Sequence, residues 1–226
     1  EREGIMDWLH SAEFARLLAL VDPYSYLSEL KTPAYIVNAG SDEFFLPDSW
    51  RFYWDALPVD KRLRYVPNAG HSLGGDGQVE GYVDEGTIAF YTSLLQGRDL
   101  PQWDWEMRTG GFDIRFDSTR PPDSIRLWHV RNPSARDFRT FVIGPAWRDS
   151  TLEIPVDGRM FVPLDIPEQG FAAWFVEAVY RDAQGLPFPL TTGITITPDR
   201  YPFGPFIPDS PKGSPNGRVQ DVMAGS

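Results

Sequence analysis

The chain has 226 residues, a formal net charge of −11 and no cysteine. That excludes a disulfide framework, a thiolate metal site and a cysteine nucleophile, and without a Lys/Arg cluster a nucleic-acid partner is not expected. With 42% hydrophobic and 14% aromatic residues the chain can bury a sizeable core, and no run of eighteen apolar residues is present to span a membrane.

The chain opens Glu1-Arg2-Glu3-Gly4-Ile5-Met6, with neither an initiator methionine nor the basic-then-apolar order of a signal peptide. This suggests a start inside a longer protein. Ser11 is placed to cap an amphipathic helix running to Leu20, which Asp22-Pro23 stops, and residues 24–30 read as a further helical turn. Thr32-Pro33 introduces a continuous apolar run at 34–38, of the kind buried in a parallel sheet. Asp48 can cap a helix over 49–57, residues 62–66 form a second strand, and a final helix is expected near 81–96. Strand, helix, strand, helix is the rhythm of a βαβ unit.

Beyond about residue 105 only strand candidates follow, at 112–116, 124–129, 138–143, 151–156, 160–165, 172–181 and 191–197. Their spacing suggests an immunoglobulin-like sandwich with Trp128, Trp147 and Trp174 in its core, and Gln184-Gly185 marks a hairpin turn. The expected organisation is therefore an incomplete α/β domain over 1–105, with a doubly wound parallel sheet. A small all-β immunoglobulin-like sandwich follows over 106–200, and a flexible Pro/Gly/Ser-rich tail over 201–226.

The stretch that carries chemistry lies between residues 35 and 73. The first strand ends in Ala39-Gly40-Ser41-Asp42, and the second in Pro67-Asn68-Ala69-Gly70-His71. Functional groups gather past the carboxyl ends of parallel strands, and neighbouring strands lie about 5 Å apart, so Asp42 and His71 can reach each other. A carboxylate that orients an imidazole is the supporting half of a serine-type acyl-transfer site. Acid then histidine, one strand–helix–strand apart, is the order of α/β-hydrolases, whose serine comes earlier in the chain. No G-x-S-x-G elbow occurs here, and neither Ser41 nor Ser72 sits on one.

Taken singly, an Asp or His in a glycine-bearing loop is a turn or structural residue; the catalytic reading rests on the two together. Asp48 reads better as a helix cap than as a rival acid, and Glu43 as facing away from the site or supporting the loop. Phe44 and Phe45 can line a substrate pocket, whereas Trp50, Phe52, Tyr53 and Trp54 read as core and helix surface. His10 and His129 lack ligand-type neighbours at helical or strand spacing, so no metal site is expected, and no cofactor. Gly74, Gly75 and Gly77 follow a histidine and do not read as a phosphate loop.

Three runs resemble the PhoPQ-activated pathogenicity-related proteins, which include autocrine proliferation repressor-like members. They are Asp22-Pro23-Tyr24-Ser25-Tyr26, Asp42-Glu43-Phe44-Phe45-Leu46-Pro47-Asp48, and Tyr65-Val66-Pro67-Asn68-Ala69-Gly70-His71-Ser72-Leu73. Pro198-Asp199-Arg200-Tyr201-Pro202-Phe203 resembles the end of that family's C-terminal domain. The resemblance implies a peptidase- or esterase-type α/β-hydrolase domain followed by a small β-sandwich, in an exported protein. It implies that Asp42 and His71 match the triad acid and base, with the serine and oxyanion-hole amides upstream of Glu1. The expected partners are then a small-molecule or peptide substrate and the N-terminal half of the hydrolase domain. The alternative is a secreted binding or signalling protein that keeps the fold without turnover.

Overall fold

The computed structural model describes residues 4–73 and 83–216, so the glycine run at 74–77 and the tail beyond 216 lie outside the described residues. The described backbone divides into two compact units.

One unit comprises Glu1–Lys31, Asp55–Val59 and Pro202–Ser226. Its helix α1, Ala12–Val21, begins where the Ser11 hydroxyl accepts the Phe14 amide at 3.1 Å and ends at Asp22. Pro23 then fixes the first turn of a 3₁₀ segment, Pro23–Glu29, which Asp22 caps through the Tyr24 amide. Glu13 accepts hydrogen bonds from the Ser214 amide and hydroxyl at 2.8 and 3.0 Å.

The other unit comprises Thr32–Trp54 and Asp60–Tyr201. Strands β1 (Ala34–Ala39) and β2 (Lys61–Val66) pair in parallel, with Ala34 opposite Lys61 and Ala39 opposite Val66. Helix α2 (Val83–Leu95) follows. Then come β3 (Trp103–Arg108), β4 (Gly111–Phe116) and β5 (Ser124–Asn132). A short helix, α3 (Thr140–Ile143), precedes β6 (Arg148–Leu152) and β7 (Arg159–Pro163). The last three strands are β8 (Phe171–Arg181), β9 (Pro187–Thr191) and β10 (Thr195–Thr197).

All pairing among β3–β10 is antiparallel: β3-β4-β7 form one sheet, and β10-β8-β5-β6 another, with β9 also on β8. Strand β8 explains the layering. Its side chains alternate between two faces. Ala172, Trp174, Val176, Ala178 and Tyr180 enter a core shared with Phe112, Ile114 and Val162 of the three-stranded sheet. Phe171, Ala173 and Phe175 enter a second core, shared with Leu63 and Tyr65 of β2 and with Phe138 and Trp147. The β8 sheet is thus a middle layer covered on both faces, which is why β8 reads as an almost unbroken apolar run.

The expected fold class is overturned. No doubly wound parallel sheet is present among the described residues; β1–β2 is the single parallel pair, and antiparallel sheets dominate. The physical reason lies in how the pair is covered. Beside β2 lies no further parallel strand but β9, whose Thr191 hydroxyl accepts the Tyr65 amide at 3.0 Å. Tyr35 of β1 donates to the Pro189 carbonyl at 2.8 Å and stacks on Phe90 of α2 at 5.5 Å. An apolar run suits a strand lying on another sheet as well as one inside a parallel α/β sheet. Two local expectations also fail: residues 49–57 form only a 3₁₀ turn, Ser49–Phe52, and part of 138–143 is α3 rather than a strand.

Arg64 of β2 and Glu177 of β8 form an ion pair buried between these layers, each side chain almost fully covered. Glu177 occupies the β8 face otherwise filled by Phe171, Ala173 and Phe175, so Arg64 is the partner that makes its charge tolerable there.

Candidate functional site

Strands β1 and β2 end level with each other, at Ala39 and Val66, and the loops leaving them carry Asp42 and His71. The first loop is anchored by Ser41. Its amide donates to the Ala69 carbonyl at 3.0 Å, and its hydroxyl accepts the Trp147 indole N–H at 3.1 Å. Ser41 is fully buried and committed to Trp147, which removes it as a nucleophile.

Asp42 turns its side chain back on its own loop. Oδ1 accepts the amides of Phe44 at 2.7 Å and Phe45 at 3.0 Å, an Asx-type turn that fixes the carboxylate. His71 Nδ1 lies 3.0 Å from Oδ2 and 3.2 Å from Oδ1. Partial burial pushes the Asp42 pKa up and is the largest single influence. The His71 hydrogen bond, the two amides and the His71 charge together outweigh it, holding the carboxyl below the usual carboxylate range. An ionised Asp42 requires a hydrogen on Nδ1, which leaves Nε2 of a neutral imidazole as the proton acceptor. The Asp42 side chain is 10% exposed and that of His71 49%, so the carboxylate is sheltered while the imidazole is accessible.

The second loop is held by Glu43, for which loop support was one expectation, and by Asn68, whose role only the structure reveals. Glu43 accepts the His71 amide at 2.7 Å, and a Cβ added at Gly70 would stand 2.8 Å from the Glu43 carboxylate, so a side chain there would have to displace it. Asn68 adopts a left-handed φ of 58°, which Asn tolerates better than most residues. Its side chain exchanges hydrogen bonds with the Trp147 backbone. No local pattern announces the partners, because His71 lies 28 residues from Glu43 and Trp147 lies 79 from Asn68.

Phe44 and Phe45 flank His71, with ring centroids 4.8 and 5.6 Å from the imidazole. Phe45 also lines a cavity of about 380 Å³ that reaches Asp42, Asn38 and Tyr65. Trp50 donates its indole N–H to the Ile194 carbonyl at 2.7 Å and meets Trp105, on which Trp54 stacks. Asp48 departs from the expected side-chain cap. Its carboxylate makes no capping hydrogen bond and instead pairs with Arg136 at 2.6 Å, both side chains buried. Arg51 bridges Asp48 to Asp199, which ties the 42–48 motif to the 198–203 motif. His10 bonds the Phe206 carbonyl, and His129 stacks on Trp174. Among the described residues no group of three or more His, Asp or Glu is placed to hold a metal ion. No helix there is long and apolar enough to cross a membrane.

These features define a β-rich chain with a hydrogen-bonded Asp–His pair at the carboxyl ends of its two parallel strands. The chain belongs to the PhoPQ-activated pathogenicity-related protein family, whose model matches residues 1–139. It is also similar to autocrine proliferation repressor protein A of Dictyostelium discoideum, 31% identical over 89% of this chain and 45% of that protein. The chain thus spans less than half the length of that curated relative. No solved structure matches it.

Proposed function

We propose that the chain supplies the acid and the base of a serine-type hydrolase acting by acyl transfer on an ester or amide. His71 Nε2 takes the proton of a serine hydroxyl as that oxygen adds to the substrate carbonyl carbon and the carbonyl electron pair moves to oxygen. Collapse of the adduct expels the alcohol or amine, which receives the proton from His71. Water then repeats the sequence to release the acid. Asp42 holds the imidazole orientation and stabilises its cationic form. The serine comes from outside these residues, in keeping with a chain that covers 45% of its relative.

The observation that carries this reading is the Nδ1–Asp42 hydrogen bond at 3.0 Å, with the carboxylate itself fixed by two amides. The test is labelling of the full-length protein with a serine-directed covalent probe, against His71→Ala. Labelling that drops sharply in the variant supports the pair; equal labelling sinks it.

A second reading is a binding or signalling protein without turnover. It is favoured by the name of the Dictyostelium relative, a proliferation repressor, and by the exposure of Phe44 and Phe45 beside His71. Export is part of both readings and is tested by fractionating the expressing cell.

A further inference from the structure

The Asp42–His71 contact depends on where two separate loops are held. The Phe44 and Phe45 amides that fix the Asp42 carboxylate belong to its own loop, so they turn with it and do not place it. Ser41, the residue before, does. Its amide donates to the Ala69 carbonyl at 3.0 Å, on the loop of His71, and its hydroxyl accepts the Trp147 indole N–H. Its carbonyl is held by Thr140, whose amide donates at 3.0 Å and whose hydroxyl donates at 2.9 Å.

A hydroxyl near a helix start commonly serves as a cap. Thr140 opens α3, but the cap position is Arg139 and no side chain caps the helix. The Thr140 hydroxyl instead reaches Ser41 across 99 residues. A carbonyl oxygen accepts two hydrogen bonds, and one residue supplies both here. Two donors on one residue fix direction as well as distance. The Ser41 carbonyl and the Asp42 amide share one planar peptide unit, so holding that oxygen holds the plane from which Asp42 departs. Ser41 is buried, and water has little access to replace a lost donor.

We infer that Thr140 is a positioning residue for the Asp42–His71 pair. It acts through the Ser41–Asp42 peptide, keeping the carboxylate at its 3.0 Å from His71 Nδ1. The inference rests on the acid–base reading of that pair. A misplacement of about 1 Å at such a contact can cost about 10²-fold in rate, so a tether outside both loops has a kinetic consequence.

The test is turnover of an activated ester by the full-length protein carrying Thr140→Val, Thr140→Ser and Asp42→Asn, singly and with each Thr140 change added to Asp42→Asn. Thr140→Val removes the hydroxyl but keeps the amide donor and the branched shape. It lowers kcat about twofold to tenfold, the range of one neutral hydrogen bond, and leaves KM unchanged; Thr140→Ser restores kcat. In the Asp42→Asn background Thr140→Val has no further effect, because it acts through the carboxylate already removed. Assays below the thermal midpoint of each variant keep unfolding out of the comparison. An equal loss in both backgrounds marks a structural role alone and overturns the inference. So does an unchanged kcat in Thr140→Val while Asp42→Asn loses activity. Undiminished turnover in Asp42→Asn overturns the acid–base reading itself, and the inference with it.

Discussion

Asn68 and Trp147 exchange two hydrogen bonds: the Trp147 amide donates to Asn68 Oδ1 at 2.9 Å, and Asn68 Nδ2 donates to the Trp147 carbonyl at 3.4 Å. The loop that carries His71 is therefore registered against the segment before β6, and Trp147 in turn holds Ser41 beside Asp42. One tryptophan positions both loops. Asn68→Ala leaves the Trp147 amide unpaired and adds strain at positive φ. It is expected to cost about 1–3 kcal/mol in urea unfolding, with Asn68→Asp intermediate because it keeps the acceptor.

Asp42→Asn keeps the shape of the loop but removes the charge that orients His71. In the full-length protein, turnover measured with an activated ester is expected to fall by roughly 10⁴-fold, as in other oriented Asp–His pairs. A drop of less than tenfold would separate Asp42 from the chemistry.

The same carboxylate has a pH signature. Its folded pKa lies below the ordinary value of 3.8, so it contributes stability above that value and loses it as pH falls through the folded value. The stability difference between the unsubstituted protein and Asp42→Asn therefore shrinks as the pH falls below about 4. Urea midpoints at successive pH values read this directly.

Asp48 and Arg136 form a buried pair with side chains 2% and 4% exposed. Asp48→Ala strands the guanidinium and is expected to cost about 3–5 kcal/mol, whereas Asp48→Leu with Arg136→Met recovers most of the loss. Asp199→Asn, at the exposed end of the same network, is expected to cost under about 1 kcal/mol. Equal losses at Asp48 and Asp199 in denaturant titrations would contradict the buried pair.

Gly193 lies directly against the Trp50 ring, so a Cβ there overlaps the indole. Gly193→Ala is expected to cost about 1–3 kcal/mol through overpacking. Adding Trp50→Leu relieves the overlap, and thermal unfolding of the single and double variants measures the difference.

Much of the site was legible before any coordinates, because it depends on local rules. Apolar runs marked strands ending near 38 and 66, close to the observed Ala39 and Val66, and placed Asp42 and His71 on adjacent loops. Strand-like runs set off by turn signals also located most of β4, β5, β7 and β8, and Ser11 and Asp22 marked the ends of α1. Strand β3 was missed: it straddles the expected boundary between residues 105 and 106, where Asp104, Glu106 and Arg108 alternate with Trp103, Trp105 and Met107.

The sequence by itself determined the family, the approximate strands, and the order and setting of Asp42 and His71. Only the tertiary structure decided what covers the strands and what holds the loops. Periodicity tells which face of a strand is apolar, but any apolar surface of matching shape can cover it, and the hydrophobic effect has no direction. The two parallel strands were thus assigned to a larger parallel sheet, when the antiparallel β8 sheet closes one of their faces. The supports followed the same logic. Arg64 meets Glu177 across 113 residues, and Asn68 meets Trp147 across 79. Those contacts exist because the layers place them together, and no local pattern encodes them.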